Sequence, residues 1–127
     1  MKRSVTEKYS IQAIEWLEYL SSIYSTKILH AMNGGEVVIE DPELVTKNGK
    51  SKKYYVDGFC EETNTIYEYM GDFHHGNLNV NKSELFNRKY AATLDRENRL
   101  KELGFIVVTI WHSEWINSIE RLEFIGF

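Results

Sequence analysis

Tyr54-Tyr55-Val56-Asp57-Gly58-Phe59-Cys60, Glu61-Glu62-Thr63-Asn64 and Thr65-Ile66-Tyr67-Glu68-Tyr69-Met70 run consecutively, and their reading decides how this chain folds. Two runs rich in aromatic and β-branched residues flank a polar connection of hairpin length, the pattern of an antiparallel strand pair at the centre of the chain. Asp57 and Glu68 interrupt these apolar runs, one on each arm. A carboxylate in a strand is costly unless it is exposed, paired or bound to a cation. The two acids therefore read either as oxygen ligands of a hard metal ion or as the solvent face of a half-buried hairpin.

Upstream, Ile11, Ile14, Leu17, Leu20 and Tyr24 recur at three- and four-residue spacing, which predicts an amphipathic helix over Ser10 to Tyr24 with Ser10 as its N-cap. Asn33-Gly34-Gly35 is turn chemistry, Glu36 to Ile39 a short strand, and Asp41-Pro42 with the lysine-rich Thr46 to Lys53 an exposed loop. Downstream, Gly71 to Lys82 is irregular, and Ser83 to Leu103 is helical with Gly104 as its stop signal. Phe105 to Trp111 reads as a strand buried on both faces. Ser113 to Phe124 is a last helix, with Ser113 as N-cap and Trp115, Ile116, Ile119 and Leu122 on its apolar side. With no repeat and no linker, residues 1–127 form one domain, an α/β or α+β unit with a mixed sheet flanked by helices.

The 127 residues suffice for one core, and 43% hydrophobic content with a single proline excludes a disordered chain. Fifteen Lys and Arg against nineteen Asp and Glu leave a net charge of −4, so nucleic acid would have to be held by local patches and not by bulk charge. Cys60 is the one cysteine and has no internal disulfide partner. No apolar run reaches the roughly 18 residues of a membrane span, and Met1 to Ser4 opens no signal-like segment. The expectation is an intracellular protein of cytoplasm or nucleus, not secreted and with no membrane partner.

Gly71-Asp72-Phe73-His74-His75-Gly76 places two imidazoles on a glycine-bounded loop just beyond Glu68. Either histidine could exchange a proton with water or a leaving oxygen while the acids hold a metal, although adjacent histidines are also ordinary surface residues. Zinc is less attractive, because no Cys/His set at finger spacing exists. Basic residues form two groups, Lys47, Lys50, Lys52 and Lys53 before the hairpin and Lys82, Lys89, Arg96 and Arg99 along the long helical segment. Such a stripe beside an acidic centre suits a phosphodiester, and it also suits a merely solvated helix face.

Taken together, Tyr55-Val56-Asp57-Gly58-Phe59, Thr63 to Tyr69, Gly71, His75-Gly76, Leu100 to Val108 and Trp111-His112-Ser113-Glu114-Trp115 resemble a known group. They are similar to the very short patch repair endonuclease branch of the PD-(D/E)XK nuclease superfamily, and more closely to nuclease-like domains of large DNA viruses and self-synthesising transposons. Ile14-Glu15-Trp16-Leu17 and His30 to Glu36 fit the latter group as well, so the resemblance spans about Ser10 to Trp115.

The resemblance implies a restriction-endonuclease-like fold with a central antiparallel hairpin, and a Mg²⁺- or Mn²⁺-dependent DNA endonuclease. Asp57 matches the metal-binding aspartate, Glu68 the first acid of the (D/E)XK element, the Tyr69 carbonyl a further ligand and His75 the histidine near the attacking water. Glu15 or Glu18 would complete the site from the first helix. Lys53, His74, Lys89, Arg96 and Arg99 are the candidate DNA contacts, and a homodimer is one way to cut both strands. Three departures stand out: Met70 replaces the motif lysine, Asp72 and Asn77 replace residues that tend to be cysteine, so no structural zinc is expected, and His74 replaces an aromatic residue. The alternative is a nuclease fold impaired in catalysis that serves as a DNA-binding or protein-interaction module.

Overall fold

A computed structural model describes residues 8–34 and 37–124. The elements, in chain order, are α1 (Lys8–Tyr24), β1 (Val37–Val45), β2 (Ser51–Val56), β3 (Gly58–Cys60), β4 (Thr65–Met70), α2 (Glu84–Glu102), β5 (Ile106–Trp111) and α3 (His112–Phe124). The chain is a small α/β domain.

The central hairpin is present, with β3 antiparallel to β4 through the Glu61 to Asn64 connection. Its first arm is broken at Asp57. On one side of the break β2 pairs with β1, and on the other β3 pairs with β4, so the chain changes sheets at that residue. A Cβ added to the next residue, Gly58, would come within 2.7 Å of Leu17 Cδ2 and 3.0 Å of Ile28 Cγ2, so only glycine lets α1 close on the corner. β5 joins β4 in parallel, giving a mixed three-stranded sheet ordered β3-β4-β5 beside the two-stranded β1-β2 ribbon.

Strand alternation divides the core in two. Tyr67 and Tyr69 face α1 and α3, where Ala13, Trp16, Leu17, Ile28 and Trp115 bury against them. Ile66 faces the opposite way and packs with Leu100 of α2 and with Tyr54 and Val56 of the ribbon. α2 starts on Ser83, whose Oγ accepts the Phe86 N–H, and ends before Gly104, as its sequence predicts.

Four expectations need correction. Ser10 is not an N-cap, because α1 already begins at Lys8. Ser113 is not one either: α3 starts at His112, directly after β5. Its Ser113 N–H and hydroxyl both donate to the Asp72 carboxylate, which takes the capping role from 41 residues away. β5 is not buried on both faces; it is an edge strand, with Ile106 58% exposed and Val108 36%. β1 does not stop at Ile39 but continues through Asp41-Pro42 to Val45, with a bulge between Asp41 and Val45 that accommodates the proline. Gly35 and Glu36 lie outside the described residues, as do the Leu122 side chain and Met1 to Ser4.

Arg99 bonds to the bulge from α2. Its Nη2 donates to Asp41 Oδ1 at 2.8 Å and to Glu43 Oε2 at 3.0 Å, and its Nη1 reaches Glu102 Oε2 at 3.0 Å. The guanidinium lies over the Asp41 carboxylate and seals it from solvent, so the acid is covered without being deep. The hydrogen bond from Arg99, opposed by desolvation and helped by the Glu43 N–H, brings the Asp41 pKa from the ordinary 3.8 to about 2. A depressed acid pKa stabilises the fold above the unfolded value and loses that contribution as pH falls through the folded one. Melting temperature should therefore fall more steeply between pH 4 and pH 2 in the wild type than in Asp41→Asn; parallel curves for the two proteins would refute the assignment.

Candidate active site

Continuing the Gly58–Tyr67 register by one residue sets Asp57 opposite Glu68, so the two acids meet across the corner where the chain changes sheets. Asp57 Oδ2 accepts the Tyr69 N–H at 2.8 Å, which fixes the aspartate against β4. In a strand, a residue's N–H and C=O leave on the same side, so the Tyr69 carbonyl also faces the Asp57 side. Glu68 points away from α1 and toward α2, where Arg96 donates to its Oε1 from Nε at 3.0 Å and from Nη2 at 2.8 Å. Arg96 Nη2 also reaches the Tyr55 carbonyl, so one guanidinium joins β2, β4 and α2.

Burial raises the Glu68 pKa to about 7, against the lowering influence of Arg96 and with the added repulsion of Asp57. Two carboxylates are thus held together where their negative charges oppose each other. A Mg²⁺-type ion, which takes one or two carboxylates and keeps several waters, fits this donor set of Asp57, Glu68 and the Tyr69 carbonyl. Zinc prefers nitrogen and sulfur ligands, and among the described residues no cluster of three His, Cys, Asp or Glu side chains forms for any metal, so two carboxylates and one carbonyl are the whole donor set here.

His75 enters the same place from the loop. Glu68, Met70, His75, Thr93, Arg96 and Glu97 line a small cavity closed below by Leu100 and Val107. Its volume of about 20 Å³ is that of one water-sized site. Thr93 Oγ1 directs its proton at backbone carbonyls, Lys89 O at 2.9 Å and His75 O at 3.1 Å. The hydroxyl oxygen therefore accepts from His75 Nδ1, 3.3 Å away, and Nε2 is left carrying the lone pair. Burial, the Arg96 charge and His74 all push the His75 pKa down, so the ring is neutral at pH 7.

The loop that delivers His75 is anchored at both ends. Asn77 Nδ2 donates to Asp72 Oδ1 at 2.7 Å, and Asp72 also receives Ser113, so the two positions that replace cysteines in the resemblance are in hydrogen-bond contact. Lys89 sits 3.5 Å over the Phe73 ring and donates to the Phe73 carbonyl. His74 is exposed, with its ring against Phe73.

The remaining predicted residues lie elsewhere. Glu15 is exposed on α1, and Glu18 is bonded to the buried His30, whose Nδ1 accepts the Met32 N–H and whose Nε2–H therefore faces the carboxylate. Neither lines the cavity, because α1 covers the sheet face opposite to Glu68. Arg99 is engaged with carboxylates, and Lys53 is exposed on the ribbon across from Glu40. Thr93, Arg96, Glu97 and Leu100 fall at helical spacing on one face of α2, a signal legible in the sequence but masked there by the basic stripe. Compared with family models, with curated proteins and with solved structures, the chain matches none.

Proposed function

We propose that the protein is a metal-dependent DNA endonuclease of restriction-endonuclease-like architecture. The observation that carries this reading is the convergence of Glu68, a neutral histidine and an arginine at one small cavity, with Asp57 across from Glu68 in the extended register. A bound divalent ion would supply an acidified water and charge neutralisation at the scissile phosphate. The chain's own groups do the rest. Asp57 and Glu68 would hold the cation, Tyr69 N–H orients Asp57, and Thr93 orients His75. His75 Nε2 takes the proton from water as its oxygen adds to phosphorus, the P–O bond to the leaving sugar oxygen breaks, and that oxygen is protonated from solvent. Arg96 supplies the positive charge that Met70, buried in the position of the motif lysine, does not.

Met70 also motivates the second reading, a module that binds DNA without cutting it. The two part on a plasmid assay. Supercoiled plasmid should be nicked or linearised with Mg²⁺ or Mn²⁺ present and left intact with EDTA, and Asp57→Ala should abolish cutting while retaining the far-UV spectrum of the wild type. Divalent-dependent retention of DNA with no cleavage by the wild type would establish the binding module instead.

A further inference from the structure

We infer that the β1-β2 ribbon is a duplex-reading arm that enters the major groove of B-form DNA, with Lys47, Lys50, Lys52 and Lys53 on the flanking phosphates. Residues 44–53, Leu44-Val45-Thr46-Lys47-Asn48-Gly49-Lys50-Ser51-Lys52-Lys53, hold four lysines and no acid in a chain whose net charge is −4. All four lysines are exposed. Glu40 and Asp41 lie across the ribbon from Lys53 and Lys52, and Arg99 binds Asp41 and Glu43. Beyond those pairs the turn, residues 44–51, carries Lys47 and Lys50 and no acid, so the end of the ribbon is cationic.

The tip has a defined shape. Thr46 N–H donates to the Lys50 carbonyl at 2.8 Å and Gly49 N–H to the Thr46 carbonyl at 2.9 Å, closing a tight turn. The base is fixed to the body by Tyr54 and Val56 in the core, by Arg99 at the bulge and by Arg96 at the Tyr55 carbonyl. Leu44, 43% exposed, lines a groove against α2, and Val45, 65% exposed beside the turn, offers an apolar contact for a thymine methyl group. Groove width selects the partner. The B-DNA major groove, about 12 Å wide, admits a two-stranded ribbon, whereas the A-form major groove of duplex RNA is too deep and narrow for side chains to read. Arg96 touches both the base of the ribbon, at the Tyr55 carbonyl, and Glu68, so one guanidinium links the arm to the acid.

This inference rests on the reading of the protein as one that acts on DNA, and its test separates the two. Binding of a fluorescein-labelled 20-base-pair DNA duplex is measured by anisotropy between 50 and 200 mM KCl for the wild type and for Lys47→Gln/Lys50→Gln/Lys52→Gln. Duplex RNA and single-stranded DNA of the same sequence are measured alongside. The triple variant should bind the DNA duplex at least about 10-fold more weakly, with a log–log salt slope shallower by about 1 per lysine. Methylation of guanine N7, in the major groove, should interfere with wild-type binding, and methylation of adenine N3, in the minor groove, should not. Replacing the same lysines with arginine should restore affinity and slope, which a folding defect in the glutamine variant would leave unexplained. Equal affinity of wild type and glutamine variant, interference at adenine N3 alone, or duplex RNA held as tightly as DNA would overturn the arm. Plasmid left intact by a wild type that still binds in this manner would overturn the nuclease reading and leave the arm standing.

Discussion

His75→Ala is expected to bind metal and DNA as the wild type does and to cleave about 10²-fold or more slowly, the usual scale for losing a general acid or base. The expectation follows from the ring's environment. Its Nδ1 proton is committed to Thr93, its Nε2 is the accepting atom, and burial beside Arg96 keeps it neutral near pH 7. Met70 has no proton to exchange and shares the cavity wall with it. His74→Ala, one residue away, removes an exposed ring that does not line the cavity and should change the rate far less. Cleavage indifferent to both substitutions, or a larger loss from His74→Ala, would mean that metal-bound water needs no protein base.

Gly76→Ala should be the most damaging single-methyl change in the loop. The residue is buried with φ at +71°, and an added Cβ would stand 2.3 Å from the Phe86 carbonyl oxygen and 2.6 Å from the Tyr90 nitrogen. Both are helix backbone and cannot swing aside. Overpacking costs about 1–3 kcal/mol and a left-handed backbone at a non-glycine residue about 1–2 kcal/mol more. Urea denaturation should thus show a loss of roughly 2–5 kcal/mol by these terms, with His75 displaced and cleavage reduced in parallel. Gly71→Ala is the control, since its added Cβ would meet only His74 Cδ2 at 3.7 Å. If Gly76→Ala were as stable as Gly71→Ala, the loop would not be seated on α2 as described.

Local patterns carried much of this fold. The β3-β4 hairpin, α2 between Ser83 and Gly104, and the apolar side of α3 through Trp115, Ile116 and Ile119 all follow from spacing and end signals within the element itself. What the sequence concealed was set by distant partners. Asp41-Pro42 has the chemistry of a turn, yet it joins a strand paired with β2, and Arg99, 58 residues later, binds its aspartate there. Ser113 is a good N-cap in isolation, yet Asp72 already supplies the acceptor. Phe105 to Trp111 is apolar apart from Thr109, and a run of that kind has the same appearance at the centre of a sheet as at its edge.

The site divides in the same way. Glu68 and His75 stand out as polar residues among apolar or glycine-rich neighbours, and the cavity includes both. Arg96 was legible as a basic helix residue but not as the partner of Glu68, because pairing across 28 residues depends on which face of the sheet α2 covers. The same uncertainty governs Glu15 and Glu18. A helix's own periodicity locates its buried stripe but says nothing of which sheet face that stripe meets, and α1 meets the face that Tyr67 and Tyr69 occupy.

The parallel pairing of β4 with β5 also fixes when the cavity comes into being. The β1-β2 and β3-β4 pairs are joined by short turns and close locally, whereas β5 reaches β4 only after residues 71–105 have been drawn into a crossover. Pairings over such sequence separation bear the largest loop-closure cost and slow a folding reaction the most. Every cavity wall belongs to this unit: Glu68 and Met70 come from β4, Val107 from β5, and His75, Thr93 and Arg96 from the segment between them. A nascent or refolding chain can therefore own both hairpins, with Glu68 on its strand and Asp57 at the corner, while still lacking this cavity. The cavity is completed only with the step that closes the crossover, so no half-folded form of this protein brings Glu68, His75 and Arg96 together.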